Sequence, residues 1–274
     1  MFLIPAIVLL VLFTFYPFIR SIYLSFFVTD NLGNPGRFVG FSNYKRVFGS
    51  KEFWNSISIT LRYGGLIGVG TFSLAMILAF ICVNQIEGSK IYTTMFALPM
   101  ALASAPVAAM FLYIFGRFGL INDIFGTTNS WITDDSTALM TMVVIVMWAN
   151  CGSSFIYLLV GLRNVPDDLI ECADLDGASH FTKFFKIYLP IASPQVFFVV
   201  FLNIVGAFKS FAMIKILLGN TNSTMNVLIF QVYKYAFLRG RFETGCVYAI
   251  VLCLVIFLTT RIQFLFEKRM VFYK

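Results

Sequence analysis

The chain of 274 residues is 59% hydrophobic, 18% aromatic and only 12% charged. Soluble domains carry roughly 25% charged residues, so this composition excludes an ordinary soluble domain and predicts an integral membrane protein. The net charge of +7 suits a protein beside anionic lipid. Because Lys and Arg are scattered singly, we expect no contact with nucleic acid.

Apolar runs long enough to cross a bilayer follow one another along the whole chain. A membrane-spanning helix needs about 20 mostly apolar residues. The predicted fold class is therefore an all-α integral membrane protein, with about six transmembrane helices in a single domain over residues 1–274. The first run is too long for a signal peptide and should stay as a span. The six runs cover residues 2–27, 57–83, 92–115, 138–162, 195–218 and 245–266.

Two features precede and enter the second run. Residues 30–36 have turn composition. In residues 44–57, aromatic and aliphatic residues recur at near-helical spacing beside basic ones, which predicts an amphipathic segment on the membrane surface. The second run holds several glycines, which let helices approach closely in a bilayer. These glycines are Gly64, Gly65, Gly68 and Gly70.

The cysteines form no pattern typical of metal binding or of a disulfide framework. They are five in number and lie mostly in apolar runs. We expect them to behave as small buried hydrophobic residues. They are Cys82, Cys151, Cys172, Cys246 and Cys253.

The longest polar interruption in the second half of the chain follows the fourth run. Its composition predicts two short helices, residues 166–175 and 178–188, joined at Gly177, which permits a turn that a Cβ would resist. The first helix should place its apolar residues on one face and its carboxylates elsewhere. The apolar residues are Leu169, Ile170, Ala173 and Leu175, and the acidic ones are Glu171, Asp174 and Asp176.

Polar residues also occur inside the fourth and fifth runs, where they are costly and usually face a cavity or the bundle interior. Asn150 and Ser153 lie in the fourth run, close to Ser154 and Tyr157. Asn203 and Ser210 lie two helical turns apart in the fifth, so both can face one groove. They are candidates for a solute path, although such residues also hold helices together.

Lys209 lies about 14 residues, or ~21 Å, beyond the start of the fifth run. A cation at that depth either lines a wet cavity, as for a phosphorylated or acidic solute, or extends toward the outer interface. The sequence leaves both interpretations open.

The polar interruption resembles the EAA loop of membrane subunits of binding-protein-dependent ABC importers. The matching positions are Glu171, Ala173, Gly177, Ile187, Leu189 and Pro190, with Cys172 replacing the second residue of the motif. The start of the chain, around Leu3–Ala6, Tyr16–Phe26 and Gly40–Tyr44, looks like that of carbohydrate-type permeases. Among these it is similar to the sugar and glycerol-phosphate permeases. Leu98–Pro106 resembles the kinked segment of the family's core.

The resemblance implies a function and a set of partners. The chain would be the permease subunit of a type I-like importer that carries a sugar, or alternatively glycerol 3-phosphate, into a bacterial cytoplasm across the cell membrane. Its partners would be a second permease, cytoplasmic ATPase subunits, an external solute-binding protein and membrane lipid. Residues 163–194 would form the cytoplasmic coupling loop, with Glu171, Ala173, Asp174 and Gly177 facing the ATPase.

Energy would come from a partner, because the sequence has no phosphate-binding loop and no catalytic or metal-binding motif. ATP and Mg²⁺ would be held by the ATPase, and this chain would bind no cofactor. Basic residues are spread almost evenly over the two sides, so only the resemblance places both termini in the cytoplasm. A secondary transporter is the rival class, but it would need intramembrane carboxylates, and the acidic residues here lie outside the spans.

Overall fold

The computed structural model describes residues 3–83, 89–219 and 225–271. Five helices in these ranges are long and apolar enough to cross a membrane, and a bent pair raises the number to six. This confirms the predicted all-α membrane architecture. The helices are α1 Ile4–Leu24, α2 Ser42–Phe48, α3 Lys51–Ile81, α4 Ser89–Ala97, α5 Ser104–Phe115, α6 Leu120–Phe125, α7 Ala138–Arg163, α8 Asp167–Leu175, α9 His180–Ile191, α10 Ser193–Phe208, α11 Phe211–Leu218, α12 Leu228–Leu238 and α13 Phe242–Met270.

The first of two compact units consists of Met1–Leu61 and Met225–Phe257. It contains an antiparallel hairpin that the sequence did not predict, β1 Phe27–Thr29 and β2 Pro35–Phe38. The turn between the strands was predicted, and the Asp30 carboxylate organises it. Donation from the side chain and backbone N–H of Asn34, together with the Leu32 N–H, lowers the pKa of Asp30.

A polar network holds α3 to α12 within this first unit. The Glu52 carboxylate accepts hydrogen bonds from Gln231 Nε2 at 3.1 Å and Tyr235 Oη at 2.8 Å, and Lys234 Nζ lies 3.0 Å away. Two turns along α3, the Thr60 hydroxyl accepts from the Leu228 N–H at 2.8 Å. The start of α12 is therefore fixed by side chains of α3.

The second unit consists of Arg62–Thr224 and Leu258–Lys274. Its helices approach closely where the glycines of α3 lie, as predicted. A Cβ built on Gly64 would meet the Phe208 ring at 2.7 Å, and one built on Gly70 would meet the Met147 sulfur at 2.7 Å. Gly65 is different, since a Cβ there would have nothing within 4 Å.

The predicted amphipathic segment over residues 44–57 is not one helix. The short helix α2 ends at Phe48, and α3 begins at Lys51, so residues 51–56 are the first turns of a membrane-spanning helix. The Ser50 hydroxyl accepts a hydrogen bond from the Phe53 N–H at 3.3 Å and caps α3. Residues 49 and 50 therefore separate two helices in what looked like one pattern.

The predicted third span, 92–115, was also wrong. The chain leaves helical geometry at Leu102 and Ala103 after a 3₁₀ turn that contains Pro99. Proline cannot donate the helical hydrogen bond and clashes with the preceding turn. The stretch that meets the membrane criteria runs instead over Ser104–Phe125.

The predicted fifth span, 195–218, is not one helix. Helix α10 ends at Phe208 and α11 starts at Phe211. The Ser210 hydroxyl donates to the Ala207 carbonyl at 2.7 Å, at the oxygen that a continuing helix would use. The candidate span in this region is the bent pair α9 and α10, whose axes differ by 76°.

The expectation that every cysteine is buried was wrong for Cys172 and Cys253, whose side chains are exposed in this chain. Cys253 lies on the membrane-spanning helix α13, where lipid or another subunit can cover it. Cys172 lies on α8, which buries none of its residues.

Candidate functional site

The polar interruption folds as a helical elbow, which we define as α8, the turn at residues 176–179 and α9. The Ala178 N–H donates to the Ala173 carbonyl at 2.9 Å, and the Gly177 N–H donates to the Asp174 carbonyl at 3.0 Å. This pair of bonds is a Schellman motif, which requires a left-handed residue after the helix. Gly177 supplies it with φ of 70°, so the position predicted as the joint is the joint.

Helix α9 begins two residues later than predicted and extends three residues beyond its predicted end at residue 188. Ser179 is its N-cap, since its hydroxyl accepts from the Thr182 N–H at 3.2 Å. The helix runs to Ile191, and the 76° bend to α10 falls at Ala192. Pro194 lacks the N–H that would continue the ladder, which explains a bend at this place.

The four predicted coupling residues have different surroundings. Glu171 is exposed and has no hydrogen-bond partner within the described ranges, while Ala173 is half-buried. Gly177 is exposed in the turn. Asp174 is exposed as well, and its carboxylate also binds Lys183 Nζ of α9 at 2.6 Å.

The predicted apolar face of α8 is only partly buried. Ile170 packs against the core cluster of the second unit, but Leu169 is exposed and Leu175 is 89% exposed. On α9, Phe181 and Phe185 are exposed as well. Both helices of the elbow therefore expose apolar side chains, and Glu171 is exposed as well, without cover from the described chain; such a composition is typical of a protein interface.

A small polar cavity lies between α7 and α10. Its volume is about 90 Å³, and it contains three of the residues predicted for a solute path. Ser154 and Tyr157, which the sequence placed close to them, complete its polar wall. The lining residues are Asn150, Ser153, Ser154, Tyr157, Val199, Leu202, Asn203 and Gly206.

Asn203 is the most informative residue of this cavity. It is 5% exposed, and its Oδ1 accepts from the Ser154 hydroxyl at 3.1 Å. Its Nδ2 is buried without a hydrogen-bond partner in the described structure. A buried donor without a partner is costly, so Nδ2 is available to an acceptor that enters the cavity.

Ser210 and Lys209 do not line this cavity, because α10 ends before them. The prediction that Asn203 and Ser210 share one groove was wrong, since Ser210 bonds instead to the Tyr63 hydroxyl at 3.0 Å. Lys209 is the C-cap of α10 and is exposed. It has no ion-pair partner among the residues that the structure describes.

Lys183 is the residue that reasoning from the sequence missed. Lys183 is nine residues from Asp174, on the other side of a glycine turn, so the spacing of residues within one helix could not predict their contact. In the ranges described, no three His, Cys, Asp or Glu side chains come together as a metal site.

Three comparisons bear on this geometry. The family model described as "Binding-protein-dependent transport system inner membrane component" matches residues 72–272. The chain is 27% identical to the sn-glycerol-3-phosphate transport system permease protein UgpA of Agrobacterium fabrum, over 98% of this chain and 94% of that protein. It is 32% identical to the probable ABC transporter permease protein YesP of Bacillus subtilis, over 96% of this chain and 88% of that protein.

A solved structure shares the fold. A chain of a bacterial ABC transporter involved in the import of the acidic polysaccharide alginate superposes with a TM-score of 0.85 at 20% identity, covering 98% of this chain and 94% of that one. The architecture of this chain is therefore that of a type I ABC importer permease.

Proposed function

Because the chain belongs to the family of inner membrane components of binding-protein-dependent transport systems, we propose that it is the permease subunit of an ABC importer for a carbohydrate. The membrane location and the transport role follow from the family. The observation that carries the substrate class is the polar cavity between α7 and α10, which ends in a free amide donor on Asn203.

The cavity suits hydroxyl-rich solutes. Asn and Ser side chains both donate and accept hydrogen bonds, as sugar hydroxyls do, and Tyr157 adds a ring that can stack on a sugar face. At about 90 Å³ the cavity is smaller than the roughly 300–1,000 Å³ of small-molecule sites. We propose that a second permease subunit and an opening of α7 from α10 supply the remaining space.

The elbow is the proposed site of energy coupling. Its uncovered apolar side chains and Glu171 suit docking to a cytoplasmic ATPase subunit, which would hold ATP and Mg²⁺. This chain would then hydrolyse no ATP and bind no cofactor itself. An external binding protein would deliver the solute, and both termini would be cytoplasmic.

Substitution of Asn203 tests the cavity. Asn203→Val removes the free donor, whereas Ser154→Ala removes only the Ser154–Asn203 bond and leaves Nδ2 in place. A hydrogen bond contributes about 0.5–1.5 kcal/mol, so we expect the KM for uptake into vesicles containing the full transporter to rise about 2- to 12-fold in the first variant and little in the second. Equal effects in both variants would mean that Asn203 has only a packing role.

Purification of the complex tests the assembly. We expect the tagged chain to copurify from membranes with a second permease and an ATPase. Uphill solute transport by the chain alone, without these subunits, would refute the proposed function.

Glycerol 3-phosphate is the second candidate solute, and Lys209 favours it. Helix α10 rises about 24 Å over its 16 residues, which is less than the ~30 Å bilayer core. An exposed ammonium at its end suits a phosphate or another anionic group. Competition of labelled uptake by neutral sugars, acidic sugars and glycerol 3-phosphate separates the candidates.

A further inference from the structure

The two arms of the elbow are joined by an ion pair as well as by the turn. Lys183 Nζ on α9 lies 2.6 Å from Asp174 Oδ1 on α8. The Lys183 side chain is 10% exposed, whereas that of Asp174 is 57% exposed. The Lys183 side chain is therefore mostly buried, and its ammonium meets a carboxylate that lies at the surface.

Apart from this pair, α8 is weakly held. None of its residues is buried, and Ile170 is the α8 residue that packs against the core cluster of the second unit. The turn itself is free of steric contact, since a Cβ on Gly177 would meet nothing within 4 Å. A turn with little packing around it allows the arms to change their angle unless another contact prevents it.

We propose that the Asp174–Lys183 pair is a brace that makes α8 and α9 move as one body, and that Lys183 is a positioning residue for energy coupling. The inference rests on the proposed function of the elbow. When the ATPase displaces α8, the brace makes α9 move with it. Helix α9 then transmits the displacement across the bend at Ala192 to α10, which lines the cavity. Without the brace, α8 rotates about Gly177 independently of α9, and its displacement does not reach α10.

The different exposure of Lys183 and Asp174 predicts unequal effects when either partner is replaced. Asp174→Asn leaves the ammonium of a mostly buried lysine without its counter-charge, which is the costly way to break such a pair. Lys183→Met removes the charge and keeps an apolar side chain in the same space. The loss in the double variant should be close to that of Lys183→Met alone, because the uncompensated charge is absent from both.

The first experiment measures solute transported per ATP hydrolysed by the whole transporter in vesicles. We expect a fall of about tenfold for Asp174→Asn, about two- to threefold for Lys183→Met, and partial recovery in the double variant relative to Asp174→Asn. Asp168→Asn and Lys186→Met are matched controls, because both residues are exposed on the same two helices. Losses that simply add in the double variant, or controls that behave like the pair, would overturn the brace.

The second experiment measures the angle directly. Cys172 on α8 is exposed and takes a spin label, and Phe185→Cys places a second label on the exposed side of α9. The other cysteines are replaced by alanine: Cys82, Cys151, Cys246 and Cys253. We expect a narrow distribution of label distances that broadens in Asp174→Asn and not in Asp168→Asn.

The outcomes separate the brace from the proposed function. An unchanged distance distribution overturns the brace, and so does a broadened one with normal transport per ATP. Cross-linking of Glu171→Cys to the ATPase tests docking independently of Asp174. If the complete transporter neither cross-links there nor couples ATP hydrolysis to uptake, the proposed function fails whatever the pair does.

Discussion

Substitutions of Gly177 at the turn of the elbow should have effects that increase with the backbone strain they cause. The backbone angle of Gly177, and not the space around it, limits which residues fit there. Its φ is 70°, and a Cβ there would have open space around it. An L-residue in the left-handed region costs roughly 1–2 kcal/mol, and a β-branched residue is a strong outlier there. Since 1.4 kcal/mol is tenfold, Gly177→Val should reduce the population of the native turn by at least about 5- to 30-fold.

The series Gly177→Asn, Gly177→Ala and Gly177→Val tests this reasoning. Asparagine tolerates the left-handed conformation, so we expect solute uptake per ATP to fall little for Asn, more for Ala and most for Val. The assay is uptake and ATP hydrolysis by the reconstituted transporter in the same vesicles. Membrane insertion should be normal in all three variants, because the turn is exposed.

Gly126 is a matched control. It has φ of 62° at the end of α6, and a Cβ there would also meet nothing within 4 Å. Gly126→Val therefore carries a similar backbone cost outside the elbow. If Gly126→Val reduced uptake per ATP as much as Gly177→Val, or if Gly177→Asn were as defective as Gly177→Val, the role of the turn in coupling would be refuted.

Two further predictions concern stability, measured as thermal unfolding in detergent. Gly152→Ala should lower the free energy of unfolding by about 1–3 kcal/mol, because its Cβ would lie 2.9 Å from the backbone of the 3₁₀ turn. Gly65→Ala is the control, since a Cβ there has nothing within 4 Å, and it should leave the stability unchanged or raise it. Glu52→Ala should cost about 1.5–3 kcal/mol by removing hydrogen bonds between charged and polar groups, and Glu52→Gln should cost less. An unchanged unfolding temperature in Gly152→Ala or Glu52→Ala would contradict the corresponding contact.

The sequence predicted the long uninterrupted helices well, because hydrophobic length alone defines them. The fourth run, 138–162, corresponds to α7, and the sixth lies within α13. Hydropathy does not report where a helix stops inside an apolar run. The end of α10 at Phe208 depends on a hydroxyl that bonds to a carbonyl of its own chain and to Tyr63, far away in sequence.

The residues of the candidate site that the sequence predicted are those that stand out from their local sequence. Asn150, Ser153 and Asn203 were found because polar residues are rare inside membrane spans. Gly177 was found because a glycine between two helical patterns favours a turn of the backbone at that point. The contact between Asp174 and Lys183 depends on how far the turn rotates α9 against α8, and no periodicity in the sequence encodes that rotation.

The elbow and the cavity are connected by the order of the chain. The cavity is lined by α7 and α10, which are the membrane helices immediately before and after the elbow. These helices touch closely near the elbow, where a Cβ on Gly161 would lie 2.8 Å from the Cβ of Gln195. Asn150 precedes Gly161 by 11 residues on α7 and therefore lies about 16 Å farther from the elbow.

The Gly161–Gln195 contact lies between the elbow and Asn150 along α7, so it can serve as the pivot of a rotation. A rotation of the elbow about this contact would separate α7 from α10 more at Asn150 than at Tyr157, because Asn150 lies farther from the contact. Variants of the elbow should therefore change how much solute moves for each ATP hydrolysed, whereas variants of Asn203 should change the KM for the solute. The two classes of defect would coincide only if the helices bent between pivot and cavity, and α7 is continuous over that distance.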